Sequence, residues 1–95
     1  MIVSFKNKET EKVFNQQFSK KIPHLIQKIA LRKLILINNA NSLFDLKNPP
    51  GNHLEALCGL RDGQYSIRIN DQWRICFTPI NDGADYQDVE IVDYH

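Results

Sequence analysis

The sequence has few of the residues that mark several classes of protein. It contains two cysteines, four glycines and four prolines among its 95 residues, too few for a disulfide-stapled domain, a collagen-like chain or a low-complexity chain. The longest uninterrupted apolar run covers only residues 34–37, whereas a helix that crosses a bilayer needs roughly 20 apolar residues. We therefore expect no transmembrane helix and no membrane partner.

The cysteines and histidines show no metal-binding pattern. Cys58 and Cys76 form no CxxC pair, and their spacing from the three histidines matches no zinc site. A buried cysteine packs more often as a small apolar residue, so we expect no metal and no other cofactor. Residues 1–6 lack the apolar stretch of a signal peptide. These features predict a reduced, cytoplasmic protein.

The overall composition is that of one globular domain. Hydrophobic residues make up 42% of the sequence and charged residues 24%, a balance typical of folded domains. A chain of this length buries roughly 60–65% of the surface that its unfolded form exposes, which suffices for one core and is too little for two. We predict a single domain over residues 1–95.

Charge is distributed unevenly along the chain. The net charge of +1 argues against a strongly basic nucleic-acid binder. Residues 1–47, however, carry nine positive and three negative charges, a net +6, whereas residues 48–95 carry three and eight, a net −5. The three cations of the second half are Arg61, Arg68 and Arg74. Arginine makes planar, bidentate contacts to phosphate, so these three indicate either a phosphate-binding site or surface ion pairs with nearby aspartates.

The first half predicts a short strand followed by two helices. Residues 2–5 favour a strand, and Asn7 caps a helix that we expect to carry Phe18 on its apolar face and to end near residues 19–21. Pro23 suits the first turn of a second helix, which ends at residues 38–41. The C-terminal half of that helix is apolar nearly all round, so either the domain encloses it or it presents a surface to a partner protein.

The second half predicts antiparallel strands. Residues 65–69 and 73–77 alternate between apolar and polar side chains. A three-residue loop over 70–72 places every apolar side chain on one face, and we predict that register. It sets Arg68 opposite Arg74, a pairing that disfavours folding and is better explained by an anionic ligand. Asp82 and Gly83 predict a second turn, followed by a last strand over residues 86–94.

The residues of the second half suit RNA cleavage. Attack of a 2′-hydroxyl on the adjacent phosphate needs a base, an acid and cations that stabilise the phosphorane. His95 and Asp93 have side chains that can exchange protons near neutral pH, Tyr94 can stack on a base or hydrogen-bond to the phosphate, and arginine supplies charge. No metal is required. Alternatively, a terminal histidine is a frayed end and a strand tyrosine is simple packing.

The sequence also resembles a known family along essentially its whole length. The resemblance rests on I-V-S-F-K at 2–6, N-P-P-G at 48–51, L-E-A-L at 54–57, Gly59, Arg61 and Gly63, Q-Y-S-I-R-I-N-D-Q-W-R-I-C-F at 64–77 and V-E-I-V-D-Y-H at 89–95. These segments are similar to the HigB-type toxins, or plasmid maintenance killer proteins, of the RelE superfamily. The long hairpin run and the terminal tripeptide recur together in that family, which makes the resemblance specific.

The resemblance implies a fold, an activity and partners. The fold would be α+β, of the RelE-like microbial-RNase type, with two N-terminal helices packed on a curved antiparallel β-sheet. The protein would be the toxin of a type II toxin–antitoxin system, a ribosome-dependent endoribonuclease that cleaves mRNA in the ribosomal A site and inhibits translation. Its partner would be a helix-turn-helix antitoxin of the HigA type, through which alone it would reach operator DNA.

The resemblance also implies residue roles. By position, the catalytic residues would be Arg74, Asp93, Tyr94 and His95. Arg61 matches a basic residue in the loop before the hairpin, and we assign Arg61 and Arg68 to RNA binding. The alternative from a different class is a non-catalytic RNA- or protein-binding module that uses the Arg68 and Arg74 face of the sheet.

Two positions depart from the family pattern. Cys58 stands where many relatives have a lysine, and Glu55 stands where some have a histidine. Either His53 substitutes from a neighbouring position, as an RNA-binding residue, or the protein is a slower enzyme, which we favour. From the apolar second helix and the nearby lysines we further expect the antitoxin to pack there rather than over the arginines.

Overall fold

The computed structural model describes residues 1–94 and shows two helices followed by a four-stranded antiparallel sheet. The elements are α1 (Lys8–Phe14), α2 (His24–Asn39), β1 (Glu55–Ala56), β2 (Tyr65–Arg68), β3 (Trp73–Ile80) and β4 (Asp85–Asp93), and the strand order is β1-β2-β3-β4. Short 3-10 turns lie between them at Leu43–Lys47, Pro50–Asn52, Gly59–Arg61 and Asn81–Gly83. This architecture confirms the predicted α+β class.

Helix α1 begins where the sequence predicted and ends earlier. The Asn7 side chain accepts a hydrogen bond from the backbone N–H of Thr10 at 2.9 Å, which confirms the cap. The helix stops at Phe14 rather than near residues 19–21, because Gln16 adopts a left-handed backbone (φ 62) that ends the helix. Phe18 therefore does not lie on a helix face, and it is 61% exposed.

Helix α2 matches its predicted bounds and buries one side only. Pro23 precedes its first residue and the helix ends at Asn39. Its fully or nearly fully buried residues are Ile26, Ala30, Leu34 and Ile37, a spacing that turns one stripe toward the core. Leu25 is 87% exposed and Ile35 is 44% exposed. Residues 1–94 thus leave the opposite side of α2 uncovered.

The hairpin of β2 and β3 has the predicted register. Tyr65 pairs with Phe77, Ile67 with Ile75, and Arg68 with Arg74. Strand β1 was not predicted; it consists of two residues that pair with β2. The opening segment is not a full strand, because it forms only isolated parallel bridges from Ile2 and Phe5 to β4.

Strand β4 confirms the predicted last strand and carries one irregularity. It follows the predicted turn at Asn81–Gly83 and pairs with β3 along its length. The register shifts by one residue between Cys76 and Thr78, beside Asp88, which has a left-handed backbone (φ 53). This is the geometry of a β-bulge.

The core lies between the sheet and α2. Ile67, Ile75 and Phe77 of the sheet and Leu34 and Ile37 of α2 belong to one cluster and are fully buried. Within residues 1–94, the longest helix is α2 with 16 residues, and no helix has both the length and the apolar character that crossing a bilayer would require.

Candidate functional site

Arg74 is held by two hydrogen bonds and a ring contact on the outer face of the sheet, the face that points away from α2. Its Nε donates to Ser66 Oγ at 2.8 Å and its Nη2 donates to the backbone oxygen of His53 at 2.6 Å. The guanidinium also lies 5.7 Å from the centre of the Tyr94 ring, within the range of a cation–π contact. A guanidinium has five N–H groups, and two are used here in the described part of the chain.

The predicted register explains this arrangement. Successive side chains in a strand alternate between faces, so Ser66, Arg68 and Arg74 all leave the sheet on its outer side. Arg74 extends from β3 over Ser66 of β2 to the turn at His53, which lies just before β1. The guanidinium is therefore held by two elements, by strand β2 through Ser66 and by the turn before β1 through His53.

Arg68 lies directly across from Arg74 and is held much less firmly. Its Nη2 donates to Asp71 Oδ1 in the hairpin loop. The Asp71 side chain is 98% exposed, and an ion pair in such a setting contributes little to stability. An anion could therefore replace Asp71 as the partner of Arg68 with little loss of free energy.

Arg61 is paired with a carboxylate of the sheet. Its Nη1 donates to Gln64 Oε1 at 3.0 Å and to Glu90 Oε1 at 3.1 Å. Glu90 pairs with Cys76 in the ladder, so this ion pair lies on the same outer face as Arg74. The structure thus brings all three predicted arginines to one face, but only Arg68 and Arg74 are cross-strand neighbours.

Asp93 and Tyr94, two of the predicted site residues, lie on opposite sides of the sheet at the end of β4. Asp93 pairs with Trp73 in the ladder, one position away from the pair that contains Arg74, so it alternates to the helix side. Gln72 Nε2 donates to the Asp93 carboxylate at 3.1 and 3.2 Å, and the backbone oxygen of Gln72 accepts from the backbone N–H of Tyr94 at 2.7 Å. The structure brings Tyr94 to Arg74. His95, a predicted catalytic residue, lies outside the described residues.

His53 contacts Arg74 through its backbone, while its side chain is exposed. Glu55 and Cys58, where the sequence departs from the family pattern, are exposed as well. Cys76 is fully buried, and burial is the main cause of its raised thiol pKa. In residues 1–94, no three His, Cys, Asp or Glu side chains are grouped so as to hold a metal ion.

Several residues at this site were missed by the sequence analysis. Ser66 could have been found, because the predicted register already placed it on the face of Arg68 and Arg74. Gln72 and Asn52 carried no such signal, since their contacts join distant parts of the chain. Asn52 accepts a hydrogen bond from Lys33 Nζ of α2, and burial, followed by the charges of Arg32 and Arg68, lowers the Lys33 pKa.

Comparison with known proteins identifies the family. The sequence model of the HigB-like toxins, described as "RelE-like toxin of type II toxin-antitoxin system HigB", matches residues 3–95. The chain belongs to this family. The match confirms the family that the sequence motifs predicted.

Individual relatives agree with this HigB-like assignment. The protein named Toxin HigB-1 from Vibrio cholerae serotype O1 is 37% identical over 78 residues, which are 81% of this chain and 82% of that protein. An uncharacterized protein of Haemophilus influenzae is 42% identical over 57 residues, 60% of this chain and 56% of that protein, so the match spans little more than half of the Haemophilus protein.

A solved structure shares the fold. The structure described as the YoeB-YefM complex from Staphylococcus aureus aligns with a TM-score of 0.57 at 22% identity, covering 100% of this chain and 95% of the other. At that identity, the likeness concerns the fold alone. It supports the RelE-like fold predicted from the sequence.

The outer side of α2 in this HigB-like toxin is a second surface of interest. A cavity of about 340 Å³ lies between the end of α1 and the start of α2 and includes Phe18 and His24. A neighbouring cavity of about 300 Å³ is lined by Lys28, Ile29, Leu31, Arg32 and Ile35. The two cavities share Lys28 and Leu31. Apolar and cationic side chains alternate along this surface.

Proposed function

We propose that this toxin is a ribosome-dependent endoribonuclease that cleaves mRNA at the decoding site. The observation that carries the proposal is the Arg74 guanidinium, which is held over the outer face of the sheet by Ser66 and His53 and keeps N–H groups for a phosphate. Family membership supports the same activity class, and cleavage at the decoding site would inhibit translation.

The chemistry that fits the site is attack of the 2′-hydroxyl on the adjacent phosphate. The transition state is a phosphorane with additional negative charge, and a cation already fixed in place stabilises it without reorganisation. Arg74 meets this requirement, because its position is set by two hydrogen bonds and the Tyr94 ring. Tyr94 would also stack on a base or hydrogen-bond to the phosphate.

Proton transfer would fall to the chain's last residues. We assign His95 as the group that exchanges a proton with the 2′ or 5′ oxygen, because an imidazole titrates near neutral pH. Asp93 is held by Gln72 on the helix side of β4, across the sheet from Arg74 and Tyr94, so its carboxylate would act through its charge at the end of β4 rather than by contacting the reacting oxygens.

RNA binding would involve the neighbouring arginines. Arg68 would exchange its exposed partner Asp71 for a phosphate of the message, and Arg61 would add positive charge farther along the face. His53 lies at the same edge. The ribosome would hold the mRNA strand against this face of the sheet.

Cleavage of mRNA on purified ribosomes tests this proposal. We expect wild-type protein to cut a ribosome-bound message and to leave free mRNA intact. Arg74→Ala should slow cleavage by about 10²–10³-fold, the usual cost of losing one oxyanion-stabilising donor, and His95→Gln should abolish it. Lys8→Ala, an exposed change at the start of α1, is the matched control. If the wild type cuts nothing under any condition, the non-catalytic binding module is the better description.

The departures from the family pattern lead to a second, smaller proposal about rate. Cys58 is exposed beside Arg61, at a position where a lysine would add a phosphate-binding charge. We propose that the absence of a lysine at position 58 makes this toxin cleave more slowly than lysine-bearing relatives. Cys58→Lys should then cleave faster in the same assay, and an unchanged rate would contradict the idea.

The expected partner is a helix-turn-helix antitoxin of the HigA type, and we propose that it docks on the outer side of α2. Leu25 and Ile35 are exposed there beside Lys28 and Arg32, a pattern that fits an apolar segment flanked by acidic side chains. Any contact with operator DNA would then be made through the antitoxin. Binding here would leave Arg74 open.

Titration of the antitoxin tests the docking surface. Ile35→Asp should weaken binding by tenfold or more, because it places a charge in an apolar contact worth about 1.4 kcal/mol or more. Arg74→Ala should bind the antitoxin like the wild type. A complex in which the antitoxin covers Arg68 and Arg74 would contradict the proposed surface.

A further inference from the structure

One of the two hydrogen bonds that hold Arg74 is accepted by a backbone carbonyl, that of His53. The carbonyl oxygen of His53 accepts the Arg74 Nη2–H at 2.6 Å. Any residue has a carbonyl, so what matters is where the turn places it. His53 has φ 47 and ψ 55, the left-handed conformation that non-glycine residues rarely adopt. Something must hold this turn in place.

Asn52, the residue before His53, is fully buried and uses its whole side chain to anchor the turn. Its Nδ2 donates to the oxygens of Leu46 at 3.2 Å and Asn48 at 3.1 Å. Its Oδ1 accepts from Lys33 Nζ. Two donors and one acceptor thus tie the turn both to the preceding loop and to helix α2.

Lys33 sits where a cation is disfavoured unless it has a partner. It is only partly exposed, and its pKa is lowered first by burial and then by Arg32 and Arg68. In the described part of the chain, the Lys33 ammonium donates a hydrogen bond to Asn52 Oδ1. The contact therefore gives the partly buried ammonium a hydrogen-bond acceptor and also fixes Asn52 in the turn.

We propose that Lys33 and Asn52 are positioning residues that fix the His53 carbonyl and thereby aim the Arg74 guanidinium. In this arrangement His53 acts through its backbone rather than through its imidazole. The inference rests on the proposed ribonuclease activity for its kinetic readout, and on Arg74 alone for its structural one. The competing explanation is that the His53 imidazole or the Lys33 ammonium binds RNA directly.

Substitutions at His53 separate backbone from side chain. His53→Asn removes the imidazole but tolerates the left-handed conformation, whereas His53→Val resists it. We expect His53→Asn, which keeps a backbone carbonyl in the left-handed turn, to retain much more cleavage than His53→Val. His53→Val should lose up to about a hundredfold in kcat with little change in KM, because a misplacement of about 1 Å can cost that much. Equal losses in both variants would overturn the proposal in favour of an RNA-binding imidazole.

Hydrogen exchange of the Arg74 Nε–H gives a readout that does not need activity. In ¹⁵N-labelled wild-type protein this proton is bonded to Ser66 and should exchange slowly. Lys33→Met and Asn52→Ala should speed its exchange by about tenfold or more, since a 1.4 kcal/mol loss is tenfold in an opening equilibrium. The amide of Ile75 in the core should keep its protection, which shows that the fold is intact.

The cleavage and exchange results together distinguish a failure of the proposed ribonuclease activity from a failure of the proposed positioning role. If wild type does not cleave, the proposed function fails, and the exchange experiment still tests the positioning of Arg74. If Lys33→Met loses cleavage while Arg74 Nε–H exchange stays at the wild-type rate, Lys33 binds RNA directly and the positioning role is overturned. Lys8→Met, an exposed lysine of α1, should change neither readout.

Discussion

The helix-side face of the sheet carries Ile67, Ile75 and Phe77, all fully buried, whereas the outer face carries Arg68 and Arg74 directly opposite each other in the ladder. One buried polar group on each face shows a further difference. On the helix side, the Tyr86 hydroxyl is buried with no hydrogen-bond partner among the described residues. On the outer face, Ser66 and Arg74 satisfy each other.

This difference indicates that the two faces of the sheet have different roles. The helix side contributes stability through buried apolar area, which does not depend on direction. The outer side contributes geometry through directed hydrogen bonds, which hold charged groups for a ligand. Substitutions on the helix side should therefore change the free energy of unfolding, and substitutions on the outer side should mainly change cleavage.

The largest effect is expected for Phe77→Ala on the helix side. Phe77 is fully buried and makes an edge-to-face contact with Tyr86 at 5.2 Å between ring centres. Its truncation should lower the free energy of unfolding in urea by about 3–5 kcal/mol. Phe44→Ala, at a side chain that is largely exposed, should change it by less than about 0.5 kcal/mol. Similar losses in both would break the comparison.

A smaller effect, of a different kind, is expected for Ser66→Ala on the outer face. The change leaves the Arg74 Nε–H without its acceptor, and hydrogen bonds to charged groups contribute about 1.5–3 kcal/mol. Single-turnover cleavage on ribosomes should fall about tenfold or more, with a smaller change in unfolding. Ser66→Thr keeps the hydroxyl and should restore cleavage. Full activity in Ser66→Ala would show that Arg74 does not depend on this contact.

Much of this fold could be predicted from local patterns. The register of β2 and β3 was predictable because a three-residue loop places all their apolar side chains on one face, whereas a two-residue turn mixes the faces. The Asn7 cap was predictable because it depends on a side chain and a backbone group three residues apart. In both cases the information lies within a few residues.

Features that depend on distant contacts were not predictable. The two residues of β1 are strand only because β2 pairs with them. The turn at Asn52 is held by Lys33 from α2, and no local pattern indicates that contact. The candidate site was predicted residue by residue, but the separation of Asp93 from Tyr94 follows from their positions in the ladder with β3, which joins segments far apart in the chain.

A third prediction concerns Tyr86, where the helix side departs from its apolar character. Tyr86→Phe removes the unpaired hydroxyl and should raise the free energy of unfolding by about 1 kcal/mol, the lower end of the cost of a buried unsatisfied group. A loss of stability would show that the hydroxyl has a partner, such as a bound water.

The same residue predicts a response to alkaline pH. Burial, and secondarily Asp45, raises the pKa of Tyr86 to about 12, whereas an unfolded tyrosine has a pKa of about 10. Between about pH 10 and 12 the unfolded chain releases this proton and the folded chain retains it, so folded stability falls as pH rises. The stability difference between Tyr86→Phe and wild type should grow above about pH 10. A constant difference up to pH 11 would contradict the raised pKa.

The smallest effect is expected for Arg68→Ala, which tests whether the two opposed arginines have different roles. Its ion pair with the exposed Asp71 contributes about 0–1 kcal/mol, and removing it also relieves repulsion from Arg74. Stability should stay within about 0.5 kcal/mol of wild type. Affinity for mRNA-programmed ribosomes should fall a few-fold, and its salt slope should decrease by about one. Asp71→Ala frees Arg68 and should preserve or raise affinity. A loss of cleavage as large as that of Arg74→Ala would mean that both arginines stabilise the transition state.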